Sequence, residues 1–244
     1  MWENMFSGKV AVVTGGSHGI GRRICEKFAA SGTSVRSIDI AAGEPLVGCE
    51  TFIGDIGDES ALRSFADSVL RELGRVDYII NNAPPLMRGL DSCAYDEFNR
   101  ALRMGVTAPF MLVKLLHEHF APGAAVVNIS STRNRMSQPN TESYAAAKGG
   151  IHALTHALAV SLADKARVNS ISPGWINCGS GAISGADALQ QPVGRVGTPD
   201  DIADLTLFLC SDMAGFITGE DIAVDGGMTK LMIYHGDNGW RLDV

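Results

Sequence analysis

The sequence predicts an α/β fold of one domain: a doubly wound, seven-stranded, mostly parallel sheet with helices on both faces. Three observations point there. Short β-type runs at 9–14, 34–39, 50–53, 76–80, 124–130, 167–171 and 221–224 alternate with helical patterns at 20–31, 59–73, 95–119, 143–164 and 199–211. Such alternation builds a parallel sheet through helical crossovers. Most of the runs are continuously apolar, as expected of strands covered on both faces. The 244-residue chain also shows no Pro/Gly/Ser-rich linker, charge block or internal repeat, so residues 1–244 are expected to share one core.

The first run ends in Thr14-Gly15-Gly16-Ser17-His18-Gly19-Ile20-Gly21, after which Ile24, Phe28 and Ala29 recur at helical spacing. Glycines at a strand–helix junction let the backbone turn tightly and approach a ligand. The helix start offers free N–H groups and a positive dipole end to a pyrophosphate. Asp39, eighteen residues past Gly21, closes the second run, where an acid can accept hydrogen bonds from a ribose diol. Together these features predict a dinucleotide site. A carboxylate repels a 2′-phosphate, so NAD is the expected cofactor. Arg22 and Arg36 could pair with that phosphate, but one lies on the first helical turn and the other inside the strand, where both read as solvated or structural charges.

Later junctions add to the same edge. The third run leads into Asp55 and Ile56, the fourth into Asn81-Asn82-Ala83, the fifth into Ser130 and Ser131, and the sixth into Pro173-Gly174. Ligands of such sheets bind at the carboxyl ends of the strands, where Gly15, Asp39, Asn81, Ser131 and Pro173 all fall. Tyr144 and Lys148 stand four apart on a helix, so their side chains share one face. A free phenol titrates near pH ~10, and a nearby ammonium stabilises the phenolate, bringing the group closer to general acid–base work. The same helix carries Ala145, Ala146, Ala147, Gly149, Gly150, Ala153, Ala157 and Ala159, with Ile151, Leu154, Leu158, Val160 and Leu162 spread around it. A helix apolar on most faces is internal or packed on a partner, and subunit contact is the preferred reading. After Asp225-Gly226-Gly227, the segment from Met228 to Tyr234 and then Trp240 and Leu242 are too apolar for a free tail. They are expected to organise the assembly or close the site.

Thr-Gly-x-x-x-Gly-Ile-Gly, the Asn-Asn-Ala run, Tyr-x-x-x-Lys with a serine thirteen residues before it, Pro173-Gly174 and Gly194-Arg195-Val196-Gly197-Thr198-Pro199 together resemble the short-chain dehydrogenase/reductase family, from about Lys9 to Met228. The resemblance implies a Rossmann-type domain, with a cofactor half to about residue 130 and a catalytic and substrate half from 131 to 244. It implies hydride transfer between an alcohol or carbonyl and a nicotinamide ring, on a small-molecule substrate. In that reading Ser131 hydrogen-bonds the substrate oxygen, Tyr144 exchanges a proton with it, and Lys148 holds the nicotinamide ribose and tunes Tyr144. Ser130 is the rival for the serine role. Cofactor contacts would come from Gly15, Ser17, His18, Gly19, Ile20, Gly21, Asp39, Asp55, Ile56, Asn81, Ala83, Tyr144, Lys148, Pro173, Gly174 and Ile176. Asp55 reads almost equally well as a cap for the following turn. These enzymes commonly pair through the Tyr–Lys helix and the one before it, so a homodimer or homotetramer is implied.

Three positions depart from the family pattern. Pro84 follows Ala83 where glycine is usual, Gly105 stands in the place of an asparagine that helps hold a relay water, and Cys178 replaces a threonine. Gly105 and Pro84 leave open a dinucleotide-binding protein with weak or no turnover, and the same contacts could hold another adenine dinucleotide such as FAD. The segment 175–193 would cover the substrate, and it is short and rich in Gly, Ser and Ala.

Composition narrows the alternatives. A net charge of −7 argues against nucleic acid and, weakly, against anionic membranes. Five scattered cysteines without C-x-x-C fit a reducing compartment and no structural zinc. No signal-like start or membrane-length apolar run is visible, which makes the cytoplasm the expected location. His152 and His156 share a helix face, but no third ligand lies within reach in the sequence, so no metal site is expected.

Overall fold

A computed structural model describes residues 5–237. The first strand, β1 (Val10–Thr14), is buried along its whole length. Its residues alternate between two cores: Val12 faces one side of the sheet, Ala11 and Val13 the other. The chain continues through α1 (Gly19–Ala30), β2 (Ser34–Asp39), β3 (Cys49–Ile53), α2 (Glu59–Leu73), β4 (Val76–Asn81), α3 (Tyr95–Leu102) and α4 (Ala108–Leu116). It closes with β5 (Phe120–Ile129), α5 (Glu142–Ser161), β6 (Ala166–Pro173), the short α6 (Ala186–Leu189), α7 (Pro199–Cys210) and β7 (Asp221–Val224).

The seven strands form one sheet in the order β3-β2-β1-β4-β5-β6-β7, and all six pairings are parallel. Leu62, Phe65, Leu112 and Leu158 from α2, α4 and α5 cover one face, while Ile24, Phe28, Ile202 and Leu207 from α1 and α7 cover the other. Phe6, Phe28 and Tyr78 pack ring to ring at 5.5–5.6 Å in the second core. Burying one such side chain contributes about 1.5–3 kcal/mol. Strand order reverses between β1 and β4, which opens a crevice at their carboxyl ends.

The short α6 was not expected from the sequence, and two longer elements differ from the expectation. The helix expected over 95–119 is divided, with a π turn at Arg103–Thr107 between α3 and α4 and a 3₁₀ turn at His117–His119. Pro109 is the physical reason for the π turn: it has no N–H to return to the Gly105 carbonyl, and its ring crowds that carbonyl in an α register. The backbone widens instead, and the amide of Ala108 reaches the carbonyl of Arg103. The second difference is β5, which starts at Phe120 rather than 124, because Val76 pairs with Phe120 before a register shift. The 3₁₀ turn Met228–Lys230 follows β7, with Met232 and Tyr234 largely exposed beyond it. Trp240 and Leu242 lie outside the described residues.

Candidate active site

The glycine loop joins β1 to α1 with Gly15 at φ +70° and Gly19 at φ +54°, conformations that side chains resist. Gly21 is a different case: a Cβ there would lie 2.0 Å from the carbonyl oxygen of Gly15, so only glycine lets the helix start pack on the loop. His18 precedes α1 without a side-chain cap, and the first turn carries no acid. The leading N–H groups of α1 are therefore free of side-chain partners at the floor of a cavity of about 610 Å³. Asp39 stands at its rim, held by backbone donors: Oδ2 accepts from the Ser17 amide at 3.0 Å and Oδ1 from the Ile40 amide at 2.8 Å. Arg22 is paired with Glu26, and Arg36 with Glu50 and Glu72.

At the other end of the cavity, β5 delivers Ser131 and α5 delivers Tyr144 and Lys148. Tyr144 lies beside Ser131 on the cavity wall. Burial pushes its phenol above the ordinary value, while the Ser131 contact and the charge of Arg133 pull it back. Lys148 is wholly enclosed; its Nζ donates to the Ile129 carbonyl at 2.6 Å and lies 5.4 Å from the centre of the Tyr144 ring. Burial without a counter-charge pushes the Lys148 ammonium down to about 7. Ser130 also lines the cavity, but its Oγ donates to the Lys148 carbonyl at 3.1 Å, which leaves Ser131 as the serine that meets Tyr144.

Most residues expected at the cofactor line this cavity: Gly15, His18, Gly19, Ile20, Asp39, Asp55, Ile56, Ala83, Tyr144, Lys148, Pro173, Gly174 and Ile176. Three do not. Gly21 packs against the loop as described. The Ser17 hydroxyl is spent on the Ala41 carbonyl at 2.7 Å. Asn81 is buried, its Nδ2 donating to Asn128 Oδ1 at 2.8 Å. Side chains alternate along a strand, so the neighbour one residue on faces the cleft. Asn82 lines the cavity and braces the glycine loop, its Nδ2 donating to the carbonyls of Thr14 and Gly15, each at 3.0 Å. The Asn-Asn pair could not be told apart by type, and only the strand's parity separates them. Asp55 caps its own turn through the Gly57 amide at 2.8 Å and pairs with Arg100 at 2.7 Å. Burial works to raise its carboxyl, but those partners hold it below the ordinary carboxylate value.

A second cavity of about 850 Å³ adjoins the first, and Pro84, Ser131, Tyr144, Gly174 and Ile176 line both. Met87, Met136 and Trp175 make much of the remaining wall, and Met228 reaches it from the segment after β7. The loop following β4 is stapled to the start of α5. The Arg88 amide donates to Ser143 Oγ, Ser143 Oγ donates to the Leu86 carbonyl, and the Ser143 amide donates to the Arg88 carbonyl. Leu90 and Asp91 add amide bonds to Glu142 and Asn140.

No cluster of His, Cys, Asp and Glu able to hold a metal occurs among the described residues. Nor is any helix there long and apolar enough to cross a membrane.

A parallel doubly wound sheet, a glycine loop under a free helix start, and a serine–tyrosine–lysine group in the same crevice define an oxidoreductase of the dinucleotide-binding class. The chain belongs to the short-chain dehydrogenase/reductase family: a family profile described as "Enoyl-(Acyl carrier protein) reductase" matches residues 15–229. An uncharacterized oxidoreductase of Thermotoga maritima is 41% identical, covering 94% of this chain and 99% of its own length. The cis-4-hydroxycyclohexanecarboxylate dehydrogenase of Sinomonas cyclohexanicum is 34% identical over 93% of this chain and 98% of its own. Among solved structures, an apo SCOR enzyme from Clostridium thermocellum superposes with a TM-score of 0.89 at 43% identity, covering 98% of this chain and 99% of that one. The protein is therefore an enzyme, an oxidoreductase of a family whose dehydrogenases use nicotinamide cofactors.

Proposed function

We propose that this enzyme interconverts an alcohol and a carbonyl on a small-molecule substrate, with NAD(H) as the preferred cofactor and Tyr144 as the general acid and base. One observation carries the reading: Ser131 and Tyr144 form the shared wall between the two cavities, one floored by the glycine loop and the other free for substrate. The residues present suit a nicotinamide dinucleotide. The free start of α1 suits a pyrophosphate, Asp39 suits an unphosphorylated ribose diol, and enclosed Lys148 suits a second ribose. With Arg22 and Arg36 already paired to acids, no arginine beside Asp39 among the described residues is left to receive a 2′-phosphate. The cofactor, when bound, supplies or accepts the hydride.

The chain's own residues do the rest. Ser131 holds the substrate oxygen in place, and Tyr144 gives a proton to that oxygen in carbonyl reduction and takes one in alcohol oxidation. Lys148, as a cation, favours the phenolate and so lowers the cost of the proton leaving Tyr144. The curated relatives include dehydrogenases named for a cyclic hydroxy acid and for D-threitol, which supports a small alcohol as the substrate class. All five cysteines are free thiols, in keeping with a cytoplasmic setting.

The test is Tyr144→Phe. On any substrate that the wild type turns over, we expect the rate to fall by about two to four orders of magnitude, while NADH affinity stays within a few-fold. A variant that keeps near-normal turnover would assign the proton transfer to another group.

A further inference from the structure

Among the described residues, no carboxylate answers the Arg133 cation. Among the side chains lining the second cavity it is the one that carries a full charge at neutral pH; the others there are apolar or neutral polar groups. Its Nη2 donates to Gln138, but its Nη1 is buried and has no hydrogen-bond partner. No carboxylate among the described residues forms an ion pair with it, whereas Arg100, Arg135 and Arg195 each pair with an aspartate. A guanidinium on a cavity wall without a carboxylate partner suits a ligand that brings one.

The position of the arginine is equally specific. It lies in the 3₁₀ turn Thr132–Asn134, directly after Ser131, and its amide donates to Ser131 Oγ at 3.2 Å. A guanidinium fork matches a planar carboxylate, and a single positive charge balances a single negative one. The doubly charged head of a phosphate ester would stay undercompensated between Met87, Met136 and Trp175.

We propose that Arg133 binds a carboxylate carried by the substrate, so that the enzyme acts on hydroxy acids and their oxo acids, with the reacting carbon at Ser131 and Tyr144. The inference rests on the oxidoreductase reading for the reaction, but the anion site can be tested apart from it. In the reductive direction an oxo acid, NADH and a proton give the hydroxy acid and NAD.

Two measurements decide the matter. The first compares reduction of acetoacetate and 4-oxopentanoate with reduction of their methyl esters, in the wild type and in Arg133→Gln. We expect kcat/KM to favour the acids at least tenfold in the wild type, and Arg133→Gln to erase that preference mainly through KM. Thermal melting and NADH fluorescence titration check that the variant is folded and cofactor-competent, and Arg133→Lys should restore part of the preference.

The second measurement titrates butyrate, butyramide and propyl phosphate into the NADH complex of Tyr144→Phe by calorimetry. Butyrate should bind at least tenfold more tightly than either of the others, and replacing Arg133 should abolish the difference. Equal binding of butyrate and butyramide, tighter binding of propyl phosphate, or a preference that survives in Arg133→Gln would overturn the proposal. Acid-selective turnover that is lost with Arg133 upholds both readings. Arg133-dependent butyrate binding without hydride transfer would uphold the anion site and refute reduction of the acids at Ser131 and Tyr144. Turnover of acids and esters alike would do the reverse.

Discussion

Asp39 is a rigid acceptor in the proposed cofactor site, because the amides of Ser17 and Ile40 hold both carboxylate oxygens in place. Removing one charge-assisted contact costs about 1.5–3 kcal/mol, so Asp39→Ala should weaken NADH binding roughly ten- to hundredfold and narrow the preference over NADPH. Fluorescence titration with both cofactors measures it; a wild type that prefers NADPH would refute the assignment. Lys148 makes a second residue-level prediction. Its folded value of about 7 lies well below the ordinary lysine value of about 10.4. Between those values the unfolded chain binds more protons than the folded one, so stability should rise with pH across that window and be lost as pH falls through about 7. Urea midpoints from pH 6.5 to 9.5 should climb more steeply in the wild type than in Lys148→Met. The residue scale is also where the sequence was hardest to read. The placing of Gly15, Asp39 and Tyr144 on the cavity follows from their positions at strand and helix ends. That Asn82 rather than Asn81 lines it turns on the parity of a strand whose last residue the sequence leaves uncertain by one.

Among the elements, the π turn at Arg103–Thr107 bears most on the site. A Cβ at Gly105 would lie 2.7 Å from the Cβ of Ala147 and 3.3 Å from that of Pro85, so the glycine allows α5 to sit close against the widened turn. Restoring the usual family residue should therefore harm the protein. Gly105→Asn is expected to cost about 1–3 kcal/mol by overpacking, and to lower turnover by displacing the helix that bears Tyr144 and Lys148. Denaturant unfolding reads the first effect; unchanged stability would mean that the neighbours yield freely. The strands and most helices were legible because continuous apolar runs and 3.6-residue patterns report burial directly. The broken 95–119 helix was not, since its hydrophobic pattern runs across the break. Pro109 was the available signal, but a proline near a helix start reads equally well as an ordinary first-turn residue.

At the scale of the molecule, α5 leaves a smooth outer strip in which Ala146, Ala153, Ala157 and Val160 are exposed, with Phe110 of α4 also exposed. Contiguous apolar surface of this kind marks an interface, and a second copy of the chain is its expected cover. Ala153→Arg should lower the mass seen by light scattering toward that of one chain while leaving the melting temperature of the isolated subunit's core nearly intact. A monomeric wild type would end this reading. The single parallel sheet was legible in the strand–helix alternation, because that order admits few other layouts. The second cavity was not, because its wall is assembled from the loop after β4, the turn after β5 and the segment 174–176, pieces distant in sequence and unremarkable one by one.

The hydrogen bonds that staple Leu86, Arg88, Leu90 and Asp91 to the residues just before Tyr144 bear on timing as well as on shape. That loop walls the second cavity through Pro84, Pro85 and Met87, so for it to swing aside the contacts that seat the start of α5 must give way. Under the proposed mechanism, a loop that opened to release product would loosen the seat of Tyr144 in the same movement.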